Sequence, residues 1–393
     1  MIQVLTGNHS AAYAALLSDV EVVSAYPITP QTQIVEKIAE FVETGKLKAK
    51  YVRVESEHSA MAVCVGASSA GARTFTATSS HGLLYMSEMV YWASAARLPI
   101  VMPVVCRALG PPWNIWNEHT DMLLLRDFGW IQFFAESNQE VLDTIIQAYK
   151  IAEDERVLIP VMVGLDAFTL SHTSEPVDVP EIESVRKFLP PRPSAPYVFD
   201  PSNPFTFGNL TYPSHYMEIK YMHHKAIEDA EKVILEVDGE WNKIFCRKYG
   251  LLDKFMCDDA KVIILTIGSS AGDAKEAAKV LRKAGIAAGV LRIRVINPFP
   301  SKELSNILSN VDAVAVVDRN LSPGNGGILL EKIKSSLYSS KYRPFIKGYL
   351  AGLGGRDITV KDYIKIFEKT LESHKKGETE TEWFNLNLEV TRS

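Results

Sequence analysis

Three short stretches carry residue types that can act on a small charged substrate: Tyr26-Pro-Ile-Thr-Pro-Gln-Thr32, Val54-Glu-Ser-Glu-His-Ser-Ala60 and Cys106-Arg-Ala-Leu-Gly-Pro-Pro-Trp-Asn-Ile-Trp116. In the first, Pro27 and Pro30 fix φ and keep the residues before them out of a helix. Thr29 is then held in a rigid turn with its hydroxyl free to donate to a ligand oxygen; alternatively Thr29 or Thr32 caps the helix that begins at Gln31. In the second, Glu57 opens a helix of small residues that packs closely. A carboxyl entering such a helix is expected to be buried, and burial favours the neutral form that a proton-donating acid needs. The plain alternative is a first-turn glutamate near the positive end of the helix dipole. In the third, Arg107 follows an apolar run and precedes a Pro-Pro turn flanked by Trp113 and Trp116. A guanidinium placed there can grip a carboxylate with a bidentate fork, or pair structurally with Asp121, Asp127 or Glu118.

These residues need a scaffold that brings them to one place. The hydrophobic pattern supplies one: β-rich runs at 20–25, 50–54, 73–77, 99–105, 130–134 and 160–165 alternate with helical stretches at 31–44, 57–70, 83–97 and 138–154. Such alternation predicts an α/β fold, a parallel sheet between helices. Each chemical stretch directly follows a predicted strand, and ligands of open parallel sheets bind at the carboxyl ends of the strands.

Residues 188–205 hold six prolines, too many for a helix or a central strand, and read as an extended connector. Residues 212–249 then space Met217, Tyr221, Ile227, Val233, Ile234 and Val237 as one face of a long amphipathic helix lying against the first unit. A second α/β pattern starts at Lys261, with helices over 271–284 and after Ser301. The domain expectation is 1–240, including the connector and long helix, then 255–370, then a charged tail over 371–393, either loosely docked or reserved for a partner.

Composition removes other classes. The net charge is −5 and no Lys/Arg cluster is present, so the basic footprint of a nucleic-acid binder is missing. No apolar run approaches a membrane span. The first cationic side chain is Lys37, which leaves the N-terminus without the basic region of a secretory signal, so a cytoplasmic location is expected. Cys64, Cys106, Cys246 and Cys257 are scattered without a Cys-x-x-Cys pair or a histidine at ligand spacing, so no metal or iron–sulfur site is expected within the chain. His58, His81, His119 and His172 read as satisfied polar residues, with His58 singled out because it adjoins Glu57. Gly66-Ala-Ser-Ser-Ala-Gly71-Ala72 has P-loop glycines but Ala72 where the lysine belongs, and Gly352-Leu-Gly-Gly-Arg-Asp357 reads as a turn.

The ordered series YPITPQT, VESEHSAMA, CRALGPPWNIWNEHTD, RDFGWIQFFAESNQE and GLDAFTLSHT resembles the alpha subunit of the multi-subunit 2-oxoacid:ferredoxin oxidoreductases, most like pyruvate:ferredoxin oxidoreductase. The resemblance extends to about residue 370. It implies a thiamine-diphosphate-type pyrimidine-binding domain followed by a smaller transketolase C-terminal-like α/β domain. It further implies that thiamine diphosphate is shared with a beta subunit, which holds the pyrophosphate and Mg2+ through a Gly-Asp-Gly stretch absent from this sequence. The 4Fe-4S clusters would lie in the beta and ferredoxin-like delta subunits. A gamma subunit would complete a dimer of heterotetramers that passes electrons to external ferredoxin.

Carried over by position, Glu57 matches the glutamate that hydrogen-bonds the aminopyrimidine ring of the cofactor, and Pro27 and Ile28 would line the pyrimidine pocket. Thr29 and Arg107 match the pair that holds the 2-oxoacid carboxylate, with coenzyme A taking the acyl group. The YPITPQT turn offers no second cation for a dicarboxylate, so a monocarboxylic 2-oxoacid is expected: pyruvate first, 2-oxoisovalerate as the alternative. A non-catalytic structural subunit of such a complex, and a subunit of a lipoamide- or NAD-linked dehydrogenase, are the readings from other classes.

Overall fold

The computed structural model describes residues 1–192, 198–204, 206 and 208–392. Its principal sheet has seven strands in the order Val295–Asn297, Ile131–Phe134, Val161–Asp166, Val101–Cys106, Thr74–Phe75, Val22–Ala25 and Lys50–Arg53. Every pairing is parallel except the first. Val101–Cys106 and Val161–Asp166 pair over their whole length and are buried at every residue. Continuous apolar strands of this kind are what a sheet covered on both faces requires. Helices Thr32–Glu43, Glu57–Ser69 and Asn138–Ala152 follow their strands as the periodicity predicts.

Three local features differ from the sequence pattern. The helix expected over 83–97 is two, Ser80–Tyr85 and Ser87–Ala95, which meet at Met86. A further helix, Gly7–Leu17, is buried almost all round, so it carries no apolar stripe to betray it. Its strand Ile2–Thr6 pairs antiparallel with Ser174–Asp178 in a separate ribbon.

The long helix spans Pro213–Phe245. Its C-terminal half buries Ala226, Ala230, Val233, Ile234, Val237 and Trp241. Asp143 of the helix Asn138–Ala152 accepts from Trp241 Nε1 at 3.3 Å and from Tyr249 Oη at 2.6 Å, fixing the two helices together. Met217 and Tyr221, expected on the buried face, are exposed; at this level the helix meets the body through Lys220, which donates to Tyr91 Oη at 2.9 Å, and His223, 3.0 Å from Ser94 Oγ. The Pro-rich connector begins where the helix Ile182–Phe188 ends, and its Phe199 N–H donates to the Ser69 carbonyl at 2.8 Å. Residues 193–197 and 205 of that connector lie outside the described residues.

The second sheet runs Glu382–Trp383, Phe345–Leu350, Ala313–Asp318, Val262–Thr266, Ala288–Ile293 and Leu252–Phe255, parallel except for the last strand. The segment expected to form a tail from residue 371 starts inside the helix Val360–Lys376. It continues into the edge strand Glu382–Trp383, with Phe384 buried against Tyr349. This part of the tail is therefore docked, held by an apolar anchor that charge and weak periodicity concealed.

The two units share structure. Immediately after Ala288–Ile293 the chain crosses over, and Val295–Asn297 becomes the edge strand of the seven-stranded sheet. The crossover is held by Arg294, fully buried, which donates to Glu140 Oε1 at 2.9 Å, Thr144 Oγ1 at 2.9 Å and the Gly250 carbonyl at 3.0 Å, and lies 4.7 Å from the Phe133 ring. Arg292 joins the same carboxylate at 3.2 Å. Glu140 thus answers two buried guanidiniums; losing the carboxylate would strand the charge of Arg294, while Arg292 keeps Glu136 at 3.0 Å and Asp253 at 3.4 Å.

Candidate active site

The carboxyl ends of Val22–Ala25, Lys50–Arg53 and Val101–Cys106 lead into the three chemical stretches. The first turn is shaped from outside itself. Asn8 Nδ2 donates to the Pro30 carbonyl at 2.8 Å, Gln31 Oε1 accepts from the Ile28 N–H at 3.3 Å, and the Gln31 N–H returns to the Ile28 carbonyl at 2.8 Å. Pro27 and Thr29 are exposed, Ile28 is half-buried, and the Thr29–Pro30 peptide is cis. Neither Thr29 nor Thr32 caps the following helix: its N-cap is Gln31, without a side-chain cap bond. Among the described residues the Thr29 hydroxyl has no partner.

Glu57 begins its helix behind Ser56, whose hydroxyl accepts the Ser59 N–H at 3.2 Å. The Glu57 side chain is 7% exposed, and among the described residues its carboxyl makes no hydrogen bond or ion pair. It lies against Gly82, where an added Cβ would fall 2.5 Å from Glu57 Oε1 and 2.7 Å from Thr78 Oγ1. Only glycine leaves room there for the carboxyl. A buried carboxyl without a protein partner is costly unless something else satisfies it. The observation fits a nitrogen-bearing ring of the kind thiamine diphosphate presents.

Arg107 is 4% exposed. Its Nη1 donates to the Thr29 carbonyl at 2.7 Å, its Nε to the Asn114 carbonyl at 3.3 Å, and its guanidinium carbon lies 5.8 Å from the Trp113 ring. Burial lowers its pKa, partly offset by the charge of Asp121. Asp121 meets it differently from an ion pair: Asp121 Oδ2 accepts the Arg107 main-chain N–H at 3.0 Å and the Ser80 N–H at 2.9 Å, while Oδ1 accepts the Met122 N–H at 2.7 Å. Among the described residues no carboxylate lies within ion-pairing distance of the guanidinium. Burial pushes the Asp121 carboxyl up to about 7 in spite of those three donors.

The turn between Glu57 and Arg107 is equally tied. Ser80 Oγ donates to the Ala108 carbonyl at 2.7 Å, and His81 Nε2 lies 3.0 Å from the Gly110 carbonyl. Thr29 and Arg107 are therefore in contact, whereas no hydrogen bond or ion pair joins Glu57 to either among the described residues; Gly82 and Ser80 stand between. Asn8, Gln31, Ser80, Gly82 and Asp121 were not singled out as site residues in sequence. Only Asp121 carried a signal, as a nearby acid, and it acts through the backbone.

The remaining candidates have structural partners. His119 Nε2 lies 2.7 Å from Asp166 Oδ1, both fully buried. Burial would raise the Asp166 carboxyl, but His119 and Ser269 hold it well below the usual range. His58 faces Glu88 at 3.5 Å and His172 faces Ser171. Among the described residues no cluster of His, Cys, Asp or Glu could hold a metal ion, and no helix is long and apolar enough to cross a membrane. A cavity of about 980 Å3 between the long helix and residues 297–302 is lined by none of Thr29, Glu57 and Arg107. The candidate site is instead an open sheet edge.

A parallel sheet between helices, an unpartnered carboxyl at a helix start on its ligand edge and a second α/β unit define a chain of the thiamine-diphosphate-enzyme fold class. Residues 13–239 match the family profile described as pyruvate flavodoxin/ferredoxin oxidoreductase, thiamine diP-binding, and residues 260–363 match pyruvate:ferredoxin oxidoreductase core domain II. The chain is 48% identical over 388 residues to the ketoisovalerate oxidoreductase subunit VorA of Pyrococcus abyssi, covering 98% of each chain. It is 48% identical over 390 residues to the pyruvate synthase subunit PorA of Methanocaldococcus jannaschii, again covering 98% of each. Among solved structures, a 2-oxoglutarate:ferredoxin oxidoreductase from Magnetococcus marinus shares the fold at a TM-score of 0.74 and 20% identity; the match covers 94% of this chain and 65% of that one. The chain belongs to the pyruvate flavodoxin/ferredoxin oxidoreductase family.

Proposed function

We propose that this chain is the alpha subunit of a cytoplasmic, multi-subunit 2-oxoacid:ferredoxin oxidoreductase. The complex would convert a monocarboxylic 2-oxoacid, pyruvate first, and coenzyme A to acyl-CoA and CO2, passing electrons singly to ferredoxin. The observation that carries this reading is the contact between Arg107 and Thr29, a guanidinium without a carboxylate partner beside a free hydroxyl. Together they offer a carboxylate-sized anion charge-assisted donors on a rigid turn.

Thiamine diphosphate, when bound, supplies the nucleophilic carbon and the electron sink for decarboxylation. Glu57 would hold a proton at its carboxyl against the aminopyrimidine ring nitrogen, and Pro27 and Ile28 would wall the ring. Arg107 and Thr29 would orient the substrate carboxylate. The beta subunit would bring the pyrophosphate, Mg2+ and clusters, with gamma and delta subunits completing a dimer of heterotetramers. The second reading, 2-oxoisovalerate as substrate, is supported by the 48% identity to a relative named for ketoisovalerate, equal to that with a relative named for pyruvate.

Anaerobic dye reduction by the natively purified complex tests the proposal, with coenzyme A and pyruvate, 2-oxoisovalerate, 2-oxoglutarate and oxalate in turn. A rate with one monocarboxylic oxoacid that vanishes without coenzyme A is expected. No rate with either monocarboxylic acid, in a preparation that still contains thiamine diphosphate and iron, would overturn it and favour a non-catalytic subunit.

A further inference from the structure

Between the two α/β units, beyond the far end of the Arg107 loop, lies a cavity of about 130 Å3 whose polar lining is left without partners. Asn117 is 2% exposed, and neither its Oδ1 nor its Nδ2 is hydrogen-bonded. Arg319, which follows the strand Ala313–Asp318, is 9% exposed with its Nε buried and unbonded. Among the described residues its guanidinium makes no hydrogen bond or ion pair. Gly352, at φ +73°, permits that placement: a Cβ there would fall 2.7 Å from Arg319 Nε. Ser269 and Ser270, at the N-terminus of the helix Ala271–Lys283, and Thr169 line the same space, but the Ser269 N–H and Oγ donate to Asp166 Oδ2 and Ser270 Oγ donates to the Ile267 carbonyl.

A buried guanidinium and a buried amide, both unpartnered and lining one cavity, form a donor set for a negatively charged oxygen. We propose that this cavity is a binding site for a small monovalent oxyanion, a carboxylate or inorganic phosphate, held by Arg319 and the Asn117 amide. The rim limits its size and charge. Asp273 and Asp357 stand there with Arg356, so a larger or more highly charged anion meets like charge. The site also touches the strand end that carries the substrate-binding candidate, because Asn117 bridges to Arg107 across an isolated antiparallel pair. An anion on Asn117 therefore braces the base of that loop.

Calorimetric titration of the purified complex with acetate, and separately with phosphate, against chloride at matched ionic strength, tests the proposal. Saturable binding of acetate that persists in Arg107→Ala, where the proposed substrate site is lost, identifies a carboxylate ligand here, and saturable binding of phosphate an inorganic one. Neither binding beyond chloride overturns the proposal and leaves a water-filled cavity. Arg319→Gln should weaken the affinity at least tenfold and Arg319→Lys by less; unchanged affinity in Arg319→Gln also overturns it. If Arg319→Gln does not assemble, Asn117→Ala serves instead, with a several-fold loss expected and unaltered binding decisive against the site.

Discussion

Arg107 Nη1 donates to the main-chain carbonyl of Thr29 at 2.7 Å, joining two loops that are 78 residues apart in sequence. This bond and that from Nε to the Asn114 carbonyl fix the direction of the guanidinium, while its Nη2 stays available. Hydrogen bonds to charged groups contribute about 1.5–3 kcal/mol. Arg107→Ala is therefore expected to raise KM for the oxoacid by about 10- to 100-fold with a smaller change in kcat, and Arg107→Lys to fall between. Steady-state kinetics across the substrate range measure this, and an unchanged KM would refute carboxylate binding.

Glu57→Gln keeps shape and removes the proton-holding carboxyl. Turnover should drop by about 100-fold or more, the usual weight of a positioned acid or base. Size-exclusion profiles and cofactor content separate this outcome from failed assembly. Normal activity in an assembled variant would remove Glu57 from the mechanism.

The Asp121 carboxyl, raised by burial to about 7, gives the site a pH dependence with a definite sign. Below pH 7 it is neutral; above it, a negative charge sits beneath Arg107 and weakens its pull on a substrate anion. KM for the oxoacid should rise as pH passes upward through 7, and Asp121→Asn should flatten that step. For folding, a carboxyl raised above its unfolded value contributes stability fully below about pH 4, lost as pH rises through about 7. A pH–KM profile identical in wild type and Asp121→Asn would show that Asp121 is not the titrating group.

Glu140→Ala leaves the buried Arg292 and Arg294 without their shared carboxylate. Removing one partner from such a set costs about 3–5 kcal/mol. Denaturant unfolding should register a loss of this size, with Glu140→Gln milder because the amide oxygen still accepts. A change below about 1 kcal/mol would mean that other contacts hold the crossover.

Much of this architecture was legible because it is written locally. The alternation of apolar runs and helical stretches located the strands from Val22–Ala25 to Val161–Asp166, and strand ends located the loops bearing Thr29, Glu57 and Arg107. What stayed hidden depends on distant partners. Asn8 shapes the Pro30 turn from 22 residues away, and the helix that carries it has no amphipathic stripe. The Gly352–Asp357 segment read as a plain turn, yet its Gly354 carbonyl accepts from Asn114 Nδ2 at 3.0 Å and its Gly354 N–H donates to Glu118 Oε2 at 3.0 Å. No spacing rule connects residues more than two hundred positions apart. Nor does any rule say that Asp121 would meet Arg107 at its backbone rather than its side chain.

The strand Val295–Asn297 has a consequence for how the chain can be divided. It covers the hydrogen-bonding edge of Ile131–Phe134, a strand whose residues are all buried. A fragment ending at residue 240 would keep its own helices and loops but uncover that apolar edge, a ready template for strand addition by another molecule. The apparent boundary between the two units is thus a poor place to cut. Such a fragment should self-associate, and a synthetic strand bearing residues 294–298, added in trans, should suppress that association.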